Sequence, residues 1–360
     1  MDMESTTIRA TMNGGDGQYS YTRNSGGQRR AWELLKDLIV EEIAQNLDVI
    51  KLFSSSSSRV FRIADFGCSV GPNTFIAVQN ILDSVKNKYQ SQEEVDFQVF
   101  FNDKISNDFN TLFKNLPLDR QYFVAAVPGF FQDRLFPKSY LHFVHCSYSL
   151  QWLSNVPKEV LDKDSPAYNK GKVFYSTAAN EVYEAYEAQF AKDITSFLNA
   201  RAEELVHGGF MALLIPCLPD GIPRSQCELE ASFDLLGASL IDMVKEGIVS
   251  EALVDSFNLP CYNATSQELK GLIEKNACFS IERMETIIRR EFFDASNIQY
   301  LMLHFRAVWE GLLSEHFGYD IIDDLFDRFA KKILDSAMFS ESSRYKRIAE
   351  LLIILKRNDA

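Results

Sequence analysis

One short segment limits the folds open to this chain more than any other. Arg59-Val60-Phe61-Arg62-Ile63-Ala64-Asp65-Phe66 is an apolar run of strand length, and Gly67-Cys68-Ser69-Val70-Gly71-Pro72-Asn73 follows it directly, leading into a helical pattern over residues 73–89. A strand that ends on an acidic residue and turns through glycines into a helix is the first half of a βαβ unit, because parallel neighbours need a crossover element between them. The theme repeats. Residues 97–101 form a second strand ending at Asn102-Asp103, and apolar runs lie at 122–127, 141–146 and 210–215 with helical patterns between them. That alternation predicts an α/β fold, a parallel sheet with helices on its faces.

In an open parallel sheet, ligands bind beyond the carboxyl ends of the strands, where backbone N–H groups are free. The turn at 67–73 lies at such an end. Gly67 and Gly71 remove side chains where a ligand must approach the backbone, and Asp65 brings a charge suited to a cationic amino group. A dinucleotide enzyme would place GxGxxG here to set a helix N-terminus against a pyrophosphate. This chain has GxxxG instead. S-adenosyl-L-methionine carries an amino group, a carboxylate and a sulfonium but no phosphate, and suits an acidic residue beside a looser turn. Asp103, ending the next strand, can accept from ribose hydroxyls or cap its own turn with Asn102. Residues 142–152 run from a buried strand into a loop that brings Tyr148, Gln151 and Trp152 to the same sheet edge. An indole N–H and an amide in apolar surroundings need partners, which a ligand can supply as well as the core can.

Several classes are disfavoured. With 37 Lys and Arg against 50 Asp and Glu the net charge is -13, a poor match for nucleic acid or an anionic membrane surface. No segment approaches ~18 uninterrupted apolar residues, and the polar start lacks the basic and apolar regions of a secretory signal, so a cytoplasmic address is expected. The six cysteines (68, 146, 217, 227, 261, 278) show no CxxC pair and read as reduced core thiols. Histidines 142, 145, 207, 304 and 316 form no spaced ligand set, and neither HExxH nor a Ser-His-Asp order occurs, which leaves hydrolytic and zinc chemistry without support. His145 alone falls near the expected pocket.

Around the sheet, the glycine-rich stretch at 12–21 predicts a loop or arm leading into an amphipathic helix over about 30–46. Ser54 to Ser58 predicts a flexible connector. Apolar residues at helical spacing predict a long crossover helix from Asn180 to Val206 that closes at Gly208-Gly209. Residues 219–276 and 295–343 read as successive helices, a cap over the sheet within a single 1–360 domain, and Leu351 to Leu355 as a final strand.

In order along the chain, Met12-Asn13-Gly14-Gly15-Asp16-Gly17, Ser20-Tyr21, Asn24-Ser25 and Gln28 resemble the opening of the plant SABATH methyltransferases. So do Ala64-Asp65-Phe66-Gly67-Cys68 with Gly71-Pro72-Asn73, Phe101-Asn102-Asp103, Asn107-Asp108-Phe109-Asn110, Val127-Pro128-Gly129 and Arg134-Leu135-Phe136-Pro137. Ser147-Tyr148-Ser149-Leu150-Gln151-Trp152-Leu153-Ser154, Asn169-Lys170-Gly171 and Asp255-Ser256-Phe257-Asn258-Leu259-Pro260 complete the series, which covers nearly the whole chain. The resemblance implies a Rossmann-like class I methyltransferase sheet with a helical cap, often as a homodimer. It implies cofactor contacts at Tyr21, Ser25, Cys68, Asn73, Asp103, Lys104, Phe130 and Phe131, beside Asp65 and Gly67 of the turn. Substrate contacts are implied at Tyr21, Gln28, Tyr148, Gln151 and Trp152, with Phe233 and Phe305 on the apolar wall. In some relatives Asn169, Asp255, the Phe257 carbonyl and Asn258 hold Mg2+, a hard cation suited to oxygen donors.

Three positions depart from the family pattern. Phe130 stands where many relatives have Ser, and Lys104 where Leu is common. Gln151 stands where salicylate-type members tend to have Met and xanthine-type or loganate-type members His, while gibberellin-type members can have Gln. The family esterifies small plant acids, and one branch N-methylates xanthines. The expectation is therefore carboxyl O-methylation of a small, partly apolar acid, with Gln151 favouring hydroxyl-bearing terpenoid or iridoid acids over bare benzoate or salicylate. Two alternatives stand beside it: N-methylation of a xanthine-type heterocycle, and a non-catalytic relative that binds a small acid.

Overall fold

In the computed structural model, which describes residues 11–53, 59–89, 95–288, 295–336, 338, 340, 343, 347 and 349–359, the apolar runs assemble into one seven-stranded sheet. Its strands are β1 (Val60–Phe66), β2 (Asp96–Asp103), β3 (Phe123–Pro128), β4 (Leu141–Ser147), β5 (Leu205–Cys217), β6 (Phe279–Ile288) and β7 (Ala349–Arg357), in the order β3-β2-β1-β4-β5-β7-β6. β1 lies parallel to β2 and β4, as β2 does to β3 and β4 to β5, while β7 runs antiparallel to both β5 and β6. The serine connector falls outside the described residues.

The helices are α1 (Tyr21–Asn24), α2 (Gly26–Asn46), α3 (Val49–Phe53), α4 (Pro72–Tyr89), α5 (Phe109–Lys114), α6 (Asn180–Glu204), α7 (Glu228–Lys245), α8 (Glu251–Asp255), α9 (Ser266–Asn276), α10 (Ile298–Phe317) and α11 (Ile322–Ser336). Successive side chains of a strand point to opposite faces, and both faces here are covered. On β5, Phe210, Ala212 and Leu214 join the layer of α2 and α4, whereas Met211, Leu213 and Ile215 join the layer of α6 and the cap. This explains why β5 reads as an unbroken apolar run. In the cap, α7 packs on α11, α11 on α10, and α10 on α1.

Two local expectations change. Helix α6 stops at Glu204 and the chain enters β5 at Leu205, so Gly208 and Gly209 lie inside the strand rather than closing the helix. Gly208 has φ +78°, and the β4–β5 register slips between Leu141↔Leu205 and Phe143↔Phe210. A Cβ on Gly209 would meet the carbonyl oxygens of Val206 and His142 at 2.9 and 3.0 Å. The pair makes a bulge, a kink that only glycine allows there. Strand β6 was not expected at all. It is an edge strand, and Glu282, Arg283 and Glu285 along it break the apolar alternation that marks a strand.

One buried histidine ties β1 to β4. The Arg62 backbone N–H donates to His142 Nδ1 at 3.0 Å, and the ring, 3% exposed, lies flat against Phe61. Nδ1 must be unprotonated to accept. Burial first, and the Arg62 charge second, push the pKa down from 6.5 to about 4. Below pH 6.5 the unfolded chain therefore binds a proton that the folded chain refuses, so stability falls as pH drops from 6.5 towards 4, by about 3 kcal/mol at the end of that window. Urea unfolding across pH 7 to 4 checks this: His142→Asn, which keeps an acceptor but does not titrate, is expected to lack that part of the slope.

Candidate active site

The ends of the first three strands are stitched together around the glycine turn. Gly67 N–H and Cys68 N–H both donate to the Asn102 carbonyl, at 2.8 and 3.0 Å. The Asn102 amide donates in turn to the carbonyls of Val127 and Gly129. Asp103 accepts from Ser69 N–H at 2.7 Å on one oxygen and from Lys104 N–H at 2.8 Å on the other. Burial raises the Asp103 pKa, opposed by those two N–H groups. Ser69 holds φ +49°, and its Oγ is buried without a partner. A left-handed serine costs free energy, and such strain collects where a ligand is held.

The N-terminal arm closes over this turn. Asn13 N–H donates to the Ala307 carbonyl of α10, Tyr21 N–H to the Asn13 carbonyl, and Gly15 N–H to Asp108. Asn73 fastens the arm from the other side: its amide N–H donates to the Ser25 carbonyl and its oxygen accepts from Arg29. Tyr21 is thereby laid against Gly71. The pKa values of Tyr21 and Cys68 are both raised, by burial first and then by the Asp103 and Asp65 charges, so neither group is primed to ionise.

On the far side, the loop after β4 is pinned to residues 260–262. Tyr262 N–H donates to the Gln151 carbonyl, Leu153 N–H to the Pro260 carbonyl, and Trp152 bridges Cys261. Tyr148 takes φ +55° at the bend. The Gln151 amide donates from Nε2 to the Tyr148 carbonyl at 2.8 Å, and its Oε1 is buried without a partner. Because a carbonyl only accepts, this bond fixes which end of the amide is which. Helices α7 and α10 complete the enclosure with an aromatic wall, in which Phe305 stacks on Trp309 and Phe233 meets Trp309 edge-on.

A single large cavity joins these parts. Tyr21, Gln28, Gly67, Asp103, Lys104 and Phe131 line its sheet end, and Tyr148, Gln151, Trp152, Phe233 and Phe305 its far end. A smaller cavity behind the turn shares Tyr21, Gln28 and Gly67 with it and adds Asp65, Cys68 and Asn73. Ser25 and Phe130 line neither, although both are chain neighbours of lining elements. Asp65 is held by protein partners on both oxygens, Oδ1 by His145 Nδ1 at 2.6 Å and Oδ2 by the Thr74 hydroxyl. The sequence reading left out Asn263, His304 and Trp309 on the large cavity and Trp32 on the small one. For these no local motif exists, since α2, α10 and the 260–263 segment meet only in the fold.

The expected magnesium residues do gather, away from both cavities. Asn169 Nδ2 donates to Asn258 Oδ1 at 2.7 Å, while Asp255 accepts from Gly171 N–H at 2.8 Å and from the Tyr168 hydroxyl at 3.2 Å. Asn258 Oδ1 and both Asp255 oxygens are thus already partnered by N–H and O–H donors of the protein, and the cluster is held together without a cation. The cluster works as a clasp that holds the 255–260 segment under the acceptor loop. Among the described residues no group of three or more His, Cys, Asp or Glu is placed to hold a metal, and no helix is long and apolar enough to cross a membrane.

A 3-2-1-4-5-7-6 sheet with only its seventh strand reversed, a glycine turn after the first strand and an aspartate ending the second define an S-adenosyl-L-methionine-dependent methyltransferase of the Rossmann-like class. The family model for SAM-dependent carboxyl methyltransferases matches residues 7–358. Loganic acid O-methyltransferase of Catharanthus roseus is 45% identical over 96% of this chain and 94% of its own length. Farnesoic acid carboxyl-O-methyltransferase of Arabidopsis thaliana is 40% identical over 97% and 99%. A solved structure of loganic acid methyltransferase with SAH superposes with a TM-score of 0.92, at 45% identity over 97% of this chain and 99% of that one. The chain belongs to the SABATH family and is a SAM-dependent carboxyl methyltransferase.

The turn admits no side chain at its first glycine. Gly67 has φ +78°, and a Cβ there would lie 1.9 Å from Ser149 Oγ and 2.6 Å from Ser149 Cβ, whose hydroxyl is tied to the carbonyls of Phe66 and Ser147. Gly171 has φ +71° with nothing within 4 Å of its Cβ position. Gly171→Ala is expected to cost about 1 kcal/mol of backbone strain, and Gly67→Ala about 2–4 kcal/mol because overpacking adds to it. Denaturant unfolding of the two variants reads the difference.

Proposed function

We propose that the acid esterified here is small, partly apolar and hydroxyl-bearing, of the terpenoid or iridoid kind. The observation that carries this is the Gln151 amide: one Nε2 N–H is given to the Tyr148 carbonyl, which orients the group, and its Oε1 is left as a buried acceptor without a partner. An unpartnered buried acceptor on a cavity wall calls for a donor, and an acid acquires one by carrying a hydroxyl. Likeness to a loganic acid O-methyltransferase supports the same substrate class.

The cofactor, when bound, supplies an electrophilic methyl group on a cationic sulfur. Asp103 and the backbone of Lys104 would receive its ribose, and Tyr21, Gly67, Cys68 and Asn73 the turn side, with Phe131 flanking the rest; Ser25 and Phe130, which line neither cavity, and Asp65, held by His145 and Thr74, would act through these neighbours. Phe130, in place of the usual Ser, offers only a ring. The substrate carboxylate is ionised near pH 7 and needs no general base. Gln28 and the Trp152 indole hold it through neutral N–H groups, which orient its oxygen towards the methyl without an ion pair that would quench it. Alignment at ~3 Å is worth roughly 7–11 kcal/mol of barrier. Phe233, Phe305 and Trp309 keep water from a site where charge is neutralised as the ester forms. No step passes through magnesium. A homodimer rests on family likeness alone, and light scattering of the purified chain tests it.

Methyl transfer from labelled cofactor across a panel of terpenoid, iridoid and benzoate-type acids tests the reading. A product hydrolysed by mild base is expected, whereas a base-stable N-methyl product on xanthines alone would overturn it. Gln151→Leu is expected to raise KM about 5- to 30-fold for a hydroxylated acid, the worth of one buried hydrogen bond, and to leave KM for its deoxy analogue within about twofold.

A further inference from the structure

Three residues on the wall of the small cavity behind the Gly67 turn each carry an unsatisfied polar atom. Gln28 Oε1, Trp32 Nε1 and His145 Nε2 are all buried without a hydrogen-bond partner, and all three residues line that cavity. Trp32 and His145 are 4% and 3% exposed, and their rings meet edge-on with centroids 5.1 Å apart. Gln28 and Trp32 sit four residues apart on α2 and so share one face of it. Orphans of this kind are rare in folded proteins, and three around one cavity call for a common partner.

Their chemistry specifies that partner. Asp65 accepts at His145 Nδ1, so in the neutral ring Nδ1 carries the proton and Nε2 is an acceptor. Gln28 Oε1 is a second acceptor, and the Trp32 indole can only donate. The occupant must therefore donate twice and accept once. To meet all three atoms the cofactor would have to bring both its ammonium and its carboxylate into this cavity, since the one cannot accept from Trp32 and the other cannot donate to His145 or Gln28. Water does all three, within the two to four contacts usual for a buried water.

We propose that one ordered water occupies this cavity, donating to Gln28 Oε1 and His145 Nε2 and accepting from Trp32 Nε1. Trp32 and His145 are then positioning residues. The water takes the oxygen end of the Gln28 amide and turns its NH2 end to the large cavity, where the acid's carboxylate is held. A continuous chain, Asp65–His145–water–Gln28, connects the cofactor turn to the acceptor clamp. This rests on the carboxylate-holding role proposed above for Gln28.

A high-resolution crystal structure of the wild-type protein with S-adenosyl-homocysteine reads the site directly. A density peak within hydrogen-bond distance of all three atoms is expected. An empty cavity, or density continuous with the cofactor, would overturn the proposal. Kinetics supply the second arm. His145→Asn keeps a donor for Asp65 but loses the Nε2 acceptor, and Trp32→Phe keeps a ring but loses the N–H. Both are expected to raise KM for the acid about 5- to 20-fold, with kcat and the cofactor-product Kd within about twofold. Were His145 there only to hold Asp65, His145→Asn would keep the wild-type KM, and that result sinks the relay. A rise in cofactor-product Kd that tracks KM sinks it too. If the wild-type enzyme methylates no acid, the carboxylate reading has failed, while the crystal structure still decides the water.

Discussion

The active site is built outward from a single oxygen. The Asn102 carbonyl takes the N–H groups of Gly67 and Cys68, which bends the chain out of β1 and leaves no room for a side chain at position 67. Because β1 and β2 are in register from Val60↔Asp96 to Phe66↔Asn102, the same bond sets Asp103 one residue beyond the paired strand end. There its carboxylate closes back onto Ser69 N–H. Two short chain segments thus brace each other, and neither conformation is available to the other strand end alone. The register of β1 with β4, Asp65↔His145, does the equivalent work on the other side.

A second constraint holds the third wall. Arg201 and Glu204 of α6 are fully buried and paired at 2.7 Å, and each also serves the 131–136 loop. Arg201 donates to the carbonyls of Phe131 and Asp133, while Glu204 accepts from the N–H groups of Leu135 and Phe136. Taking two charges out of water is costly unless their remaining hydrogen-bonding positions are filled, and here backbone groups fill them. The return is geometric: an irregular loop is held rigidly enough to keep Phe131 at the cavity.

Legibility in the sequence followed the range of the interactions. The turn at Asp65–Asn73, the Asp103 strand end and the 148–152 loop are local, so spacing and residue type exposed them. The family resemblance added Gln28 and the aromatic wall at Phe233 and Phe305. Trp32 and His145 could not be paired by inspection, since a helix before β1 and a strand 80 residues later meet only through sheet register. Strand β6 escaped because one edge contact suffices to make a strand, and charges on an edge erase its alternation. The glycines at 208 and 209 misled for a related reason: the same residue type serves a helix end and a strand bulge, and only the partner strand distinguishes them.

The chemistry of the reaction asks the site for no general base. A carboxylate nucleophile arrives without its proton, so a base would have nothing to do. Accordingly the thiol and the phenol nearest the turn are pushed away from ionisation by burial and by neighbouring carboxylates. For the clamp proposed above the site offers neutral dipoles: the Gln151 amide, oriented by its bond to the Tyr148 carbonyl, and beside it the Gln28 amide and the Trp152 indole N–H. A cationic clamp would bind the acid more tightly before reaction than at the moment of methyl transfer, when its charge is vanishing, and binding of that kind lowers KM without raising kcat. Amides held by their neighbours avoid that loss, and the fold invests its buried hydrogen bonds in keeping them aimed.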